Sequence, residues 1–251
     1  MDMKILSSGS VMKNSKIDVV YIYKQQKNEE ELRYSIRSVE KNFPYRKIWI
    51  VGDKRPRWAN ENLNFIECKN LPVRYRDVNN KLLKAVSCPE VSEEFFFFND
   101  DFFILNPVQS WRIGAEFDGL MEDKVAFMSI RNGVDKEYLK GLEECDEVLE
   151  ENGIYARNFE LHRPIRFEKS KLKKLLEKFP ETPCRRSLYA EIFGYEKSKY
   201  IRMRKDYKLY GLSERVDITK DMVSTSDLAF AGQAGRIIRG MFKMRSKYER
   251  N

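Results

Sequence analysis

The chain has 251 residues, of which 42% are hydrophobic, 13% aromatic and 34% charged; this composition supports one globular domain with a sizeable core and excludes a largely disordered protein. No apolar run approaches the about 18–20 residues of a membrane helix, residues 1–16 lack the apolar centre and cleavage site of a secretory signal, and the four scattered cysteines with no CxxC pair argue against a zinc cluster or disulfide scaffold. The formal charge of +8 is unevenly spread, because residues 163–251 hold 23 Lys and Arg against 11 Asp and Glu, a net +12 that leaves −4 for residues 1–162.

A flexible N-terminus over residues 1–16 and a cytoplasmic location are the expectations for the start of the chain. Ile17 to Tyr23 (IDVVYIY) reads as a buried strand, and Leu32, Ile36, Val39 and Phe43 recur at helical spacing up to Pro44, which stops the helix. Lys47 to Gly52 (KIWIVG) is the next strand, completing a βαβ unit, and Asn64 to Cys68 is a weaker one. A helix near Asn79 to Val86 precedes the aromatic strand Glu94 to Phe98, and Val125 to Ile130 reads as a further strand. Lys136 to Glu151 is an acidic helix closed by Gly153, Ser170 to Phe179 a basic amphipathic helix stopped by Pro180, and Gly235 to Tyr248 a basic helix with Ile237, Ile238, Met241 and Phe242 on one side. Alternating strands and helices predict an α/β fold with a mainly parallel central sheet flanked by helices. The expected division is one domain over residues 17–234 with a basic C-terminal helix over 235–251.

Functional groups in such sheets gather at the carboxyl ends of the strands. Tyr23, Asp53 and the pair Asp100 and Asp101 all stand there. Two adjacent carboxylates beyond a hydrophobic strand need charge compensation, and hard oxygen ligands point to Mg²⁺ or Mn²⁺, which would bridge them to a diphosphate. Asp53 can accept hydrogen bonds from a base or ribose, or serve as a plain turn residue. Arg33 and Arg37, four residues apart on one helix, can share a face aimed at a nucleotide diphosphate.

The strings IDVVYIY, NEEELRYSIRSVEKNFPYRKIWIVGD, RPRWANENLNFIE, DVNNKLLKAV and EEFFFFNDDFFILNPV, in this order over residues 17 to 108, resemble the first two conserved blocks of the Stealth family. Those proteins are mostly bacterial capsule sugar-phosphate transferases. LHRPIRFEKSKLKKLLEKFPETPCRRS resembles the third block. The resemblance implies a GT-A-like fold and a nucleotide-sugar donor, a UDP-sugar first. It implies donor contacts by Tyr23, Arg33, Arg37, Asp53, Asn80, Lys84 and Arg186. Asp100, Asp101 and His162 are the implied metal ligands, with Asp101, His162 and Arg185 catalytic. His162 would ligate the metal or handle a proton, and Arg185 and Arg186 would neutralise donor phosphates or touch an anionic acceptor. Where the family has a Trp- and Asp-containing loop, this chain has Lys24-Gln25-Gln26-Lys27, which favours transfer of a sugar.

For the acceptor, the +12 third favours a polyanion, DNA with hydroxylated bases as in viral DNA modification, and peripheral membrane contact is a further use of the same charge. Cell-surface or capsular polysaccharide, with glycosyl or sugar-1-phosphate transfer, is the alternative. A non-enzymatic nucleic-acid-binding module explains the charge and leaves Asp100 and Asp101 without a role.

Overall fold

The computed structural model describes residues 17–26, 28–109, 116–194, 200–203 and 207–250, so the N-terminal segment 1–16 lies outside the described residues. In chain order the elements are β1 (Ile17–Ile22), α1 (Glu30–Asn42), β2 (Tyr45–Gly52), β3 (Asn64–Glu67), α2 (Arg74–Ser87), β4 (Glu94–Phe98), β5 (Phe102–Ile104), β6 (Glu116–Phe117) and α3 (Met121–Ser129). There follow α4 (Lys136–Glu151), β7 (Ile165–Glu168), α5 (Lys169–Lys178), α6 (Arg185–Phe193), β8 (Ile201–Arg202), β9 (Lys208–Leu209), β10 (Met222–Thr225), α7 (Asp227–Ala231) and α8 (Gln233–Met241).

The central sheet has the order β3-β2-β1-β4-β7. It is parallel from β3 to β4, and only β7 runs antiparallel, against β4. The unbroken Phe95-Phe96-Phe97-Phe98 run follows from this position: a strand between β1 and β7, covered on both faces, turns alternate side chains into two different cores. Phe95 and Phe97 join Val20, Trp49 and Val51 beneath α2, α4, α5 and α6. Phe96 and Phe98 join Val19, Tyr21, Ile48 and Ile50 against Leu32, Ile36 and Val39 of α1. A smaller sheet, β5-β10-β9, carries a third cluster in which Phe103 and Val223 meet Phe230, Ile238 and Phe242.

Asp18 stitches the amino end of the central sheet. It is fully buried and accepts from Arg46 Nε at 2.8 Å, Trp49 Nε1 at 2.9 Å and the backbone amides of Lys47 and Ser92 at 3.1 and 2.9 Å. At the other end of β2 only glycine fits at position 52, because a Cβ there would stand 2.7 Å from the Tyr23 carbonyl oxygen.

Two elements differ from the sequence reading. Val125 to Ile130 is not a strand but lies within α3 and its last turn; a short apolar run has no periodicity of its own, and Phe127 and Ile130 are exposed, 53% and 82%. Asp123 Oδ2 accepts the Leu120 amide at 3.4 Å and fixes the start of that helix. The C-terminal helix runs over Gln233–Met241 and does not extend through 248. Beyond it the chain turns back, with the Asn60 amide donating to the Tyr248 carbonyl at 2.8 Å and the Arg250 amide to the Trp58 carbonyl at 2.8 Å. The turn brings Glu249 under α1, where it meets two arginines.

Candidate active site

The carboxyl ends of β1 and β4 open into a cleft of about 1050 Å³. Its walls come from the starts of α2, α4 and α6, the segment 160–162, and the β9, β10 and α7 region. Tyr23, Asp100, Asp101, His162, Arg185 and Arg186 all line it, so residues up to 163 positions apart in sequence share one space.

Asp101 stands in the turn between β4 and β5, directly before Phe102. Its Oδ2 accepts from Lys208 Nζ and from Ser224 Oγ, each at 2.9 Å, while its Oδ1 is buried with no hydrogen-bond partner. Burial, and then repulsion from Asp101, hold the Asp100 carboxyl well above the ordinary carboxylate range. Glu31, which accepts from Thr225 Oγ1 at 2.9 Å, is pushed up to about 8, first by burial and further by Asp100 and Asp101. Asp100, Asp101, Glu31 and Asp227 thus gather in the cleft, where Lys208 pairs with Asp101 and the Arg74 charge acts on Asp100. An orphaned, buried carboxylate oxygen in a set of hard oxygen donors fits a divalent cation. Among the described residues no three His, Cys, Asp or Glu side chains are grouped as a metal cage, so an ion at this pair would draw its remaining ligands from phosphate and water.

Cationic side chains also line the cleft. Arg185 is 8% exposed and donates through Nε to Asn79 Oδ1 at 2.5 Å and through Nη2 to the Tyr75 carbonyl at 3.4 Å; burial pushes its pKa down. Arg186 donates to the Arg163 carbonyl, and its guanidinium lies 5.0 Å from the centre of the Phe97 ring. Glu160 Oε1 accepts the amides of Arg186 and Ser187, both at 3.0 Å, and caps the start of α6. Tyr23 is 1% exposed and donates its hydroxyl to Glu29 Oε1 at 2.7 Å.

The remaining predicted donor contacts lie elsewhere. Arg33 and Arg37 do share one face of α1, but that face is turned to the C-terminal segment. Arg37 Nε and Nη2 donate to the Glu249 carboxylate at 2.6 and 2.8 Å, and Arg33 Nε at 2.7 Å. A buried carboxylate has taken both guanidiniums. Asp53 Oδ1 accepts the Gln25 amide at 3.4 Å, Asn80 Nδ2 donates to Cys68 Sγ at 3.2 Å, and Lys84 is exposed on α2; none of these three lines the cleft.

Sequence reasoning missed Glu31, Arg74, Lys81, Tyr138, Glu160 and Lys208, which do line it. The carboxylate of Glu31 sits in the quoted NEEELRYS string and was legible by motif, whereas nothing near Lys208 marks it. The basic third is also divided: α5 packs through Leu172, Leu175 and Leu176 into the cluster of Phe95 and Phe97, and α8 through Ile238 into that of Phe103. Part of its charge is used internally, in Arg163–Glu116, Lys208–Asp101 and Arg239–Glu30 pairs. Among the described residues no helix is long and apolar enough to cross a membrane.

Residues 25–117 match the family model described as Stealth protein CR2, conserved region 2. A capsular polysaccharide phosphotransferase of Neisseria meningitidis serogroup B is 35% identical over 95 residues, 32% of this chain and 24% of that protein. An exopolysaccharide phosphotransferase of Streptomyces coelicolor is 30% identical over 182 residues, 63% of this chain and 18% of that protein. A capsular polysaccharide phosphotransferase of Haemophilus influenzae is 34% identical over 122 residues, 44% of this chain and 32% of that protein. The chain therefore spans a third or less of the length of these relatives. The galactosyltransferase LgtC, solved in complex with donor and acceptor sugar analogs, superposes with a TM-score of 0.50 over 92% of this chain and 98% of its own, at 11% identity, a likeness of fold. Over residues 25–117 the chain is similar to conserved region 2 of the Stealth proteins, and it has a single-domain GT-A-like α/β fold.

Proposed function

We propose that this protein is a Stealth-type transferase that moves a sugar 1-phosphate from a nucleotide-sugar donor, a UDP-sugar first, to a hydroxyl of a cell-surface polysaccharide. The observation that carries the reading is the acidic pair after β4, with Asp101 Oδ1 buried and unpartnered in a cleft that Arg185 and Arg186 also line. The phosphotransferase relatives favour polysaccharide over DNA as acceptor.

In this reading Asp101 and Asp100 would hold a Mg²⁺ or Mn²⁺ ion beside the donor. The ion supplies neutralisation of the charge that develops on the leaving nucleotide. Lys208 keeps Asp101 in place, Arg186 balances phosphate charge, and His162 accepts the proton of the acceptor hydroxyl. The acceptor oxygen attacks the β-phosphorus, the bond from that phosphorus to the bridging oxygen breaks, and the nucleoside monophosphate leaves with the bridging oxygen. Attack at the anomeric carbon would instead release the nucleoside diphosphate.

The leaving nucleotide is therefore the test. The protein is incubated with a panel of nucleotide sugars, Mn²⁺ or Mg²⁺, and either capsular oligosaccharides or hydroxymethylated duplex DNA, and nucleotides and products are read by mass. Nucleoside monophosphate with a phosphodiester-linked glycan product is expected. Diphosphate release changes the reaction to glycosyl transfer, and product on DNA alone overturns the acceptor.

A further inference from the structure

The segment from β9 to α7 presents apolar side chains to solvent on a backbone that is firmly held. Tyr210, Leu212 and Leu228 are 57%, 54% and 53% exposed. The amides of Tyr210 and Gly211 donate to Glu214 Oε2 at 2.5 and 2.6 Å, and Ser226 Oγ donates to the Tyr210 carbonyl at 2.9 Å. The Ser226 and Gln233 amides donate to the Leu209 and Leu212 carbonyls at 2.8 and 2.9 Å. Gly232 permits this approach, since a Cβ there would stand 2.2 Å from the Leu212 carbonyl oxygen. Each of these bonds ends on main-chain atoms of residues 209–212, so the exposed side chains are positioned but not engaged by them.

Tyr210 stands beside the acidic pair. The Lys208 ammonium lies 5.9 Å from the centre of its ring and 2.9 Å from Asp101 Oδ2, and Leu228 lines the cleft together with Lys208, Ser226 and Asp227. An exposed apolar surface continuous with a cleft marks a place for a ligand. Polar groups are interleaved with it: Asp227 and Ser213 are exposed, and Ser226 is half-buried. A pyranose ring has the same division, a face of C–H groups and a rim of hydroxyls, and it suits an aromatic ring with hydrogen-bonding groups around it.

We propose that Tyr210, together with Leu228, is the platform on which a sugar ring of the acceptor stacks, which makes Tyr210 a specificity-determining residue at the Asp101 cleft. A few apolar side chains bordered by Asp227 and Ser226 match one ring and not a protein interface, which buries roughly 800 Å² per partner. That the saccharide is the acceptor rests on the transferase reading; the exposed platform itself does not.

The probes are short neutral oligosaccharides of hexoses and N-acetylhexosamines, titrated into the full chain without donor and followed by saturation-transfer difference NMR. Wild type is expected to bind at least one of them, with saturation strongest on the C–H protons of one ring face. Tyr210→Ala should weaken that binding about fivefold or more, the scale of a lost aromatic contact. Tyr210→Phe and Tyr210→Trp keep an aromatic face and should stay near wild type. Melting temperatures should be unchanged in all three variants, because the turn is held by its main chain. Equal binding by wild type and Tyr210→Ala, or no saccharide bound by wild type, overturns the platform. Simultaneous binding of the oligosaccharide and a nucleoside diphosphate sugar supports the acceptor, whereas displacement by that sugar nucleotide gives the ring to the donor and overturns it. A dimer that dissociates in Tyr210→Ala, seen by sedimentation, would give the surface to a second copy and overturn the saccharide as well. Transfer is not part of the readout, so failure of the transferase reading and failure of this platform are distinguishable.

Discussion

Lys208 Nζ lies 2.9 Å from Asp101 Oδ2, so one member of the acidic pair beyond β4 is ion-paired with a residue 107 positions further along the chain. The contact explains how Asp101 tolerates Asp100 and Glu31 beside it. It also leaves Oδ1 of the same carboxylate unspent, which gives the first prediction.

Asp101→Asn should reduce transfer by about a hundredfold or more, since it removes the charge that retains a cation at the diphosphate. The fold should persist, because Lys208 and Ser224 still find an amide oxygen at that place. Turnover in Mn²⁺, with circular dichroism as control, is the measurement; full activity of wild type in EDTA would remove the cation from the reaction.

His162→Ala should slow turnover by roughly 10²- to 10⁴-fold, the range for a lost proton-transfer group, with little change in melting temperature. Wild-type turnover with a lowered melting temperature marks the side chain as structural.

Glu249→Gln should destabilise the protein by about 3 kcal/mol, the scale for breaking a buried ion pair. Burial alone would raise the Glu249 carboxyl, but hydrogen bonds from Arg37 and Arg33 outweigh it and bring it down to about 2. A depressed carboxylate stabilises the fold fully above its unfolded value, about 4.3, and progressively less as pH falls toward 2. Urea unfolding at pH 7, 4 and 2.5 should therefore show the gap between wild type and variant closing only below about pH 4. A gap independent of pH would mean that the charge of Glu249 is not what holds α1.

Lys84→Ala should leave stability within about 0.5 kcal/mol and turnover near wild type, because Lys84 is exposed and outside the cleft. A loss of donor affinity in this variant would return α2's outer face to the substrate path.

What was legible in the sequence had local causes. Strands announced themselves through β-branched and aromatic runs, and α4 was readable over its full length because Asp135 caps it, accepting the Glu137 amide at 2.9 Å, and Leu142 and Leu149 keep helical spacing. The Asn-Asp-Asp string and its place after β4 were equally local. What could not be read depends on partners far away. Arg33 and Arg37 on a helix after β1 look like phosphate ligands until Glu249 arrives, and Lys208 is one of many lysines until β9 pairs with β10 beside Asp101. Arg185 stood out only as one of a pair, and its burial without a carboxylate belongs to the packing of α2 against the start of α6.

The clasp between Arg37 and Glu249 has a consequence for how the protein is made. The two residues are 212 positions apart, and at about 5–20 residues per second a ribosome needs on the order of 10–40 s to travel that distance. The strand and helix around residues 17–52 can pair during this interval, while the cationic face of α1 waits without its anion. Closure of that face then lags the synthesis of α1 by this interval, and a charge-reversing substitution at position 249 would be felt in the yield of native protein before it is felt in the finished fold.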